Sequence, residues 1–215
     1  MSQFLVAALI SSRICHDLTG PAGAVSNGVE LLAEEDDPGM KDQSLELLAF
    51  SAAETSRRLQ FYRLCFGAAG GLTAQTGIGE ARRTAEGFFE GRKQNLQWPV
   101  SDIDNLRIPQ TAVQLVLNLV LLAGEALPRG GEIQINLAED GSRLEITGNG
   151  KNAGLREDDL AALSGENGPE TLDARTVQPW YTAAIGREIG AEIVANQDGE
   201  TLIQLTAGPV FSVSA

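Results

Sequence analysis

The chain has 215 residues, 43% of them hydrophobic, which is enough for one or two domains with a real core and too apolar for a disordered chain. A formal net charge of -13, with a pI near 4.5, would repel nucleic acid and anionic lipid alike, so the expected partners are proteins. No apolar run reaches the roughly 18 residues that span a bilayer, and Met1 to Ile10 lacks the basic region and cleavage pattern of a signal peptide. Two cysteines and one histidine suit a reducing cytoplasm better than a disulfide scaffold, and they supply no metal-binding set.

In chain order, the first helix is expected from about Gln3 to Ala33. Ile14, Leu18, Val25, Val29 and Leu32 recur at steps of four, seven, four and three and mark one buried face. His16, the sole histidine, stands two residues from both Ile14 and Leu18, roughly 200° around the helix, and therefore faces outward. Ser12, Arg13, Thr19 and Gly20 share that outer face one turn away, with Gly23 and Asn27 further along. Nearly all are small, whereas a solvated face normally carries Glu, Lys and Gln, so this face suits close approach of another protein; a surface histidine without a task is the plain alternative. Adjacent helical side chains point about 100° apart, so Cys15, His16 and Asp17 cannot converge as a thiol triad, and Cys15 reads as a small, partly buried filler. Pro21 has no N–H for the carbonyl of Asp17, and the helix should bend one turn past the histidine.

The acidic turn Glu34 to Gly39 closes this helix, and Asp37 with Pro38 suits the cap and first position of the next. There Leu45, Leu48, Ala52, Thr55, Leu59, Tyr62 and Phe66 keep a three-four alternation, a coiled-coil seam. Two helices alone cannot enclose both seams plus Leu47, Ala49, Phe50 and Ala53, so the hairpin is expected to form a four-helix bundle in a homodimer. The alternative is that the second domain covers these residues within one chain. Gly67-Ala68-Ala69-Gly70-Gly71 reads as a small, flexible joint, dividing residues 1–70 from 71–215. Beyond it the pattern gives helices near Gly79 to Lys93, Pro109 to Ala126, Arg156 to Leu163 and Pro179 to Ile189. Strands are expected near Asn95 to Val100, Glu132 to Ala138, Ser142 to Thr147, Glu192 to Ala195 and Thr201 to Thr206, with hairpin turns at Asp140-Gly141 and Asp198-Gly199. The expected fold is α+β: a helical hairpin followed by an α/β sandwich, with helices on one face of a mixed sheet.

His16-Asp17-Leu18 followed by Pro21 resembles the phosphoacceptor box of sensor histidine kinases, and the second domain resembles a kinase ATP-binding domain. The departures are as informative as the matches. Asn118-Leu119, Pro128 and Gly130-Gly131 resemble an N box, but Leu122 stands at the position of its magnesium ligand and cannot coordinate a hard cation. Ile146-Thr147-Gly148-Asn149-Gly150 resembles the first glycine box with Gly148 in place of the aspartate that reads adenine. Where a second glycine box belongs, Gln178-Pro179-Trp180-Tyr181-Thr182 has no glycine to cradle phosphate. A histidine box joined to a lost nucleotide site resembles the ChpT-type histidine phosphotransferases over essentially the whole chain.

That resemblance implies a cytoplasmic homodimer relaying phosphoryl groups from the receiver domain of a CckA-like hybrid kinase, through His16, to CtrA-like or CpdR-like response regulators. It implies no cofactor or metal on this chain, because magnesium would be held by the partner receiver. His16 would attack as neutral imidazole, and Asp17 would hold Nδ1–H so that Nε2 is free. Ser12, Arg13, Thr19, Gly20, Pro21, Gly23 and Asn27 would form the receiver-docking face, with Arg13 steering an acidic mouth or meeting phosphate, or else serving as an ordinary surface charge. Many kinases carry Thr or Asn where Gly20 stands, and its absence removes a group that orients water for phosphatase chemistry. Two other functions fit the same residues: an ATP-dependent histidine kinase with an unusual loop, and a non-enzymatic dimeric receiver-binding adaptor.

Overall fold

A computed structural model describes residues 2–34, 37–67, 74–165 and 168–212. Helix α1 (Ser2–Glu34) and helix α2 (Pro38–Cys65) form the antiparallel hairpin. Asp37 caps α2 by accepting from the Met40 N–H at 3.0 Å, with Pro38 in the first turn, as the Asp-Pro pair requires. Residues 35 and 36 of the acidic turn, and residues 68–71 of the joint with the 70/71 boundary, lie outside the described residues.

The second half runs β1 (Gln75–Gly77), α3 (Ile78–Phe89), β2 (Gln94–Gln97), β3 (Arg107–Pro109), α4 (Gln110–Glu125), β4 (Gly131–Leu137), β5 (Leu144–Asn149), α5 (Glu157–Ser164), α6 (Val177–Ile189), β6 (Glu192–Asp198) and β7 (Leu202–Gly208). The main sheet has the order β2-β4-β5-β7-β6, with β2 and β4 parallel and the remaining neighbours antiparallel. Ile133, Ile135, Leu144, Ile146, Ile203 and Leu205 point to one side and are buried, while Glu132, Gln134 and Asn136 alternate outward; the sheet is thus covered by helices on one face. Gly141 and Gly199, with φ of 72° and 57°, supply the left-handed backbone of the two expected hairpin turns. A small antiparallel pair, β1 with β3, was absent from the sequence reading because three-residue strands carry no period. The strand expected near Asn95 to Val100 runs Gln94–Gln97 and stops before Pro99, which has no N–H to continue a ladder.

The two halves are joined by a line of amides. The last carbonyls of α2 have no partner within their own helix. Gln110, Gln114 and Asn118, spaced four apart on α4, donate side-chain N–H to the carbonyls of Leu64, Gly67 and Cys65 at 3.1, 3.0 and 2.9 Å. Gln178 of α6 braces Asn118 by donating to its carbonyl and side-chain oxygens, and both residues are fully buried. Phe61 of α2 stacks on Phe88 of α3 with centroids 4.0 Å apart.

The α1 stripe is less buried than its spacing suggests: Ile14, Leu18, Val25 and Leu32 are half-buried and Val29 is exposed. On α2, Leu45, Leu47, Phe50 and Leu59 remain about half exposed, at 51%, 51%, 50% and 50%. The second domain therefore leaves them partly uncovered within one chain: it meets α2 most closely at the carboxyl end around Phe61 to Cys65. Earlier on α2 it meets only Arg57, which pairs with Glu90 at 3.4 Å, Leu59, which shares a cleft with Trp180 and Tyr181, and Phe50, whose ring lies beside Gly91.

Candidate functional site

His16 projects from the middle of α1 with 87% of its side chain exposed. Its Nδ1 lies 3.2 Å from Oδ1 of Asp17, which leaves Nε2 turned to solvent. The other carboxylate oxygen of Asp17 accepts from the hydroxyl of Tyr62 on α2 at 2.7 Å. Burial, and then the Asp17 charge beside it, push the Tyr62 phenol well above the ordinary range, so it stays a donor.

Pro21 explains a further contact. The Asp17 carbonyl would receive the N–H of residue 21 in an unbroken helix, but proline has none. The guanidinium of Arg58, itself paired with Glu54 one turn earlier on α2, donates to that carbonyl instead. Helix α1 is continuous through Pro21, so the orphaned carbonyl is satisfied across the hairpin.

Of the residues expected on the outer face, Ser12, Thr19, Gly20, Gly23 and Asn27 are exposed around His16. Thr19 folds its hydroxyl back to the Cys15 carbonyl at 2.7 Å, and a Cβ placed on Gly20 or Gly23 would meet nothing within 4 Å. Two of the expected docking residues are not on that surface. Arg13 is only 9% exposed: it bonds Glu125 at the end of α4, reaches the Arg175 carbonyl at 3.2 Å, and lies 4.0 Å from Asp17. Pro21 is buried. Arg13 is thus a strut between hairpin and second domain, a role set by Glu125 and Arg175, which helical spacing in α1 cannot reveal. Cys15 differs in the other direction, being exposed rather than a partly buried filler, while Cys65 is fully buried and its thiol pushed up by that burial. Sequence reasoning placed Tyr62 in the seam and missed its hydroxyl, and it gave Arg58 no part; the break at Pro21 was the available signal for a donor to the Asp17 carbonyl.

Most of the positions that resemble a nucleotide site are packed into the core. Leu122 is 1% exposed in the core. A side chain at Gly148 would meet Ile203 at 2.7 Å, so the sheet has no room for a carboxylate there. Gln178 and Thr182 are buried in the amide network, and Trp180 and Tyr181 line an apolar cleft of about 720 Å³ shared with Val6, Ile10 and Leu59. Burial pushes the Tyr181 phenol up to about 12. Among the described residues no cluster of three or more His, Cys, Asp or Glu could hold a metal ion, and no helix is long and apolar enough to cross a membrane.

The class of protein follows from comparison with known proteins: the chain belongs to the histidine phosphotransferases. Residues 78–201 match the family model described as the histidine phosphotransferase C-terminal domain. The chain is 35% identical to the protein phosphotransferase ChpT of Brucella abortus (strain 2308) over 205 residues, 94% of this chain and 95% of that protein. It superimposes with a TM-score of 0.79, at 35% identity, on the 1.7 Å structure of a bacterial phosphotransferase, covering 94% of this chain and 95% of that one. The histidine kinase domain of Erythrobacter litoralis EL346 is a looser match, with a TM-score of 0.45 and 18% identity over 88% of this chain and 96% of that one.

Proposed function

We propose that this chain carries phosphoryl groups between receiver domains on Nε2 of His16. The supporting observation is the His16–Asp17 pair: Nδ1 is engaged at 3.2 Å, and the other nitrogen faces solvent from an open surface of small residues. The Nε2 lone pair attacks the phosphorus of a receiver's aspartyl phosphate, the bond from phosphorus to the aspartyl oxygen breaks, and the receiver's carboxylate leaves. The Nδ1 proton stays in place, and the positive charge gained by the ring is offset by Asp17. Attack by a second receiver's aspartate on the phosphohistidine reverses these steps.

Magnesium and the acidic pocket belong to the receivers in this scheme, and this chain contributes no cofactor. A CckA-like hybrid kinase as donor, CtrA-like or CpdR-like regulators as acceptors and a relay in the cytoplasm fit the family likeness. The half-exposed Leu45, Leu47, Phe50 and Leu59 support a homodimer whose hairpins pack as a four-helix bundle.

The test is label transfer. A radiolabelled phosphoreceiver should pass label to the wild-type chain and not to His16→Ala, whose binding to the receiver persists. Labelled ATP with magnesium should leave the isolated chain unlabelled. Autophosphorylation would instead establish a kinase, and an unlabelled wild type with intact binding would leave an adaptor.

A further inference from the structure

The two oxygens of the Asp17 carboxylate have different neighbours, and one of them comes from the other helix of the hairpin. We propose that Tyr62 is a positioning residue: its hydroxyl holds Asp17 in the rotamer that presents Oδ1 to His16 Nδ1, and so keeps Nε2 as the nucleophilic nitrogen. This rests on the phosphotransfer reading of His16 and gives α2 a part in the chemistry beyond packing.

The distances rank the two contacts. The Asp17–His16 separation of 3.2 Å is at the long end for an N–H···O bond, whereas the Tyr62 hydroxyl reaches Oδ2 at 2.7 Å, the usual length for O–H···O. A helical aspartate with a quarter of its side chain exposed has several staggered wells and water to compete for it, so the weaker contact alone does not select one. The stronger one does, because its donor cannot move. Tyr62 is 4% exposed, and its ring lies 5.8 to 5.9 Å from the rings of Phe61, Phe66 and Phe88. The position of the hydroxyl is set by the core rather than by solvent. Arg58, one turn earlier on α2, holds the main-chain carbonyl of the same aspartate, so side chain and backbone of Asp17 are both tied to α2. The phenol keeps its proton throughout and takes no part in bond making.

Tyr62→Phe keeps the ring cluster and deletes one oxygen. Because the chain has one histidine, the imidazole ¹⁵N shifts of the whole protein report the His16 tautomer directly. In the wild type, neutral His16 should carry its proton on Nδ1. In the variant the population should move toward the Nε2–H form, and phosphorylation by phosphoramidate should slow about three- to tenfold, the size of one lost orienting hydrogen bond. A measurement on the wild type alone gives a second reading: a bonded Tyr62 hydroxyl proton is protected from exchange and resolved at low field. An unprotected hydroxyl, or a tautomer ratio and rate unchanged in Tyr62→Phe, overturns the proposal. If the tautomer depends on Tyr62 while no receiver transfers to the wild type, positioning stands and the relay reading falls. If transfer proceeds and the variant matches the wild type, the reverse holds.

Discussion

A glycine inside a helix sacrifices about 0.5–1 kcal/mol relative to alanine, so Gly20 and Gly23 in mid-α1 call for a reason. Gly28 has one inside the molecule, since a Cβ there would stand 3.0 Å from Leu48. Gly20 and Gly23 have none, because the space around each is open to 4 Å. In the proposed relay their reason is a receiver surface that comes close to His16. Gly20→Ala and Gly23→Ala should therefore each raise stability to urea by about 0.5–1 kcal/mol while weakening binding of a receiver. Stabilisation with undiminished receiver binding would remove these glycines from the docking face. The exposure of His16 was legible because it follows from period alone. The burial of Arg13 was not: its partner Glu125 lies 112 residues away, and a basic residue one turn from a histidine looks alike whether it faces solvent or a strut. Tyr62 was legible as an apolar ring in a seam, while the use of its hydroxyl depended on which face of α1 it met.

Helix ends show the same contrast between local and distant causes. The start of α2 is written in Asp37-Pro38, a signal complete within the residues it concerns. Its end is written in α4, where Gln110, Gln114 and Asn118 occupy successive turns of a helix that is apolar apart from them and its end residues Thr111 and Glu125. The N-box resemblance located Asn118 in sequence and could not say that its amide faces the end of another helix. Asn118→Leu keeps the number and branching of the side-chain heavy atoms but strips the bond to the Cys65 carbonyl and a partner of Gln178. Loss of about 1–3 kcal/mol of folding stability per buried group left unsatisfied is expected, read as a lower urea midpoint. A neutral outcome would show that the amides are not what joins α2 to α4. The β1–β3 pair was out of reach of pattern reading for a different reason, since its strands are shorter than any period they might display.

At the scale of the molecule, the order hairpin then α/β sandwich follows from the change in apolar period along the chain, and the structure carries it. In the proposed homodimer, a second copy covers the apolar surface that a single chain leaves on α2. Phe50→Glu, at a half-exposed position on that surface, should convert a dimer to a monomer in light scattering at micromolar concentration. A wild type already monomeric there would refute the four-helix bundle. The amide line and the Arg13 strut hold the second domain against the hairpin near His16.

The proposed relay depends on which nitrogen bears phosphorus. Phosphorylating the chain from a phosphoreceiver and reading the ¹⁵N–³¹P coupling of its single histidine locates the bond directly. Phosphorus on Nε2 of His16, discharged when a second receiver is added, is the predicted result. Phosphorus on Nδ1, or on a residue other than His16, would contradict it.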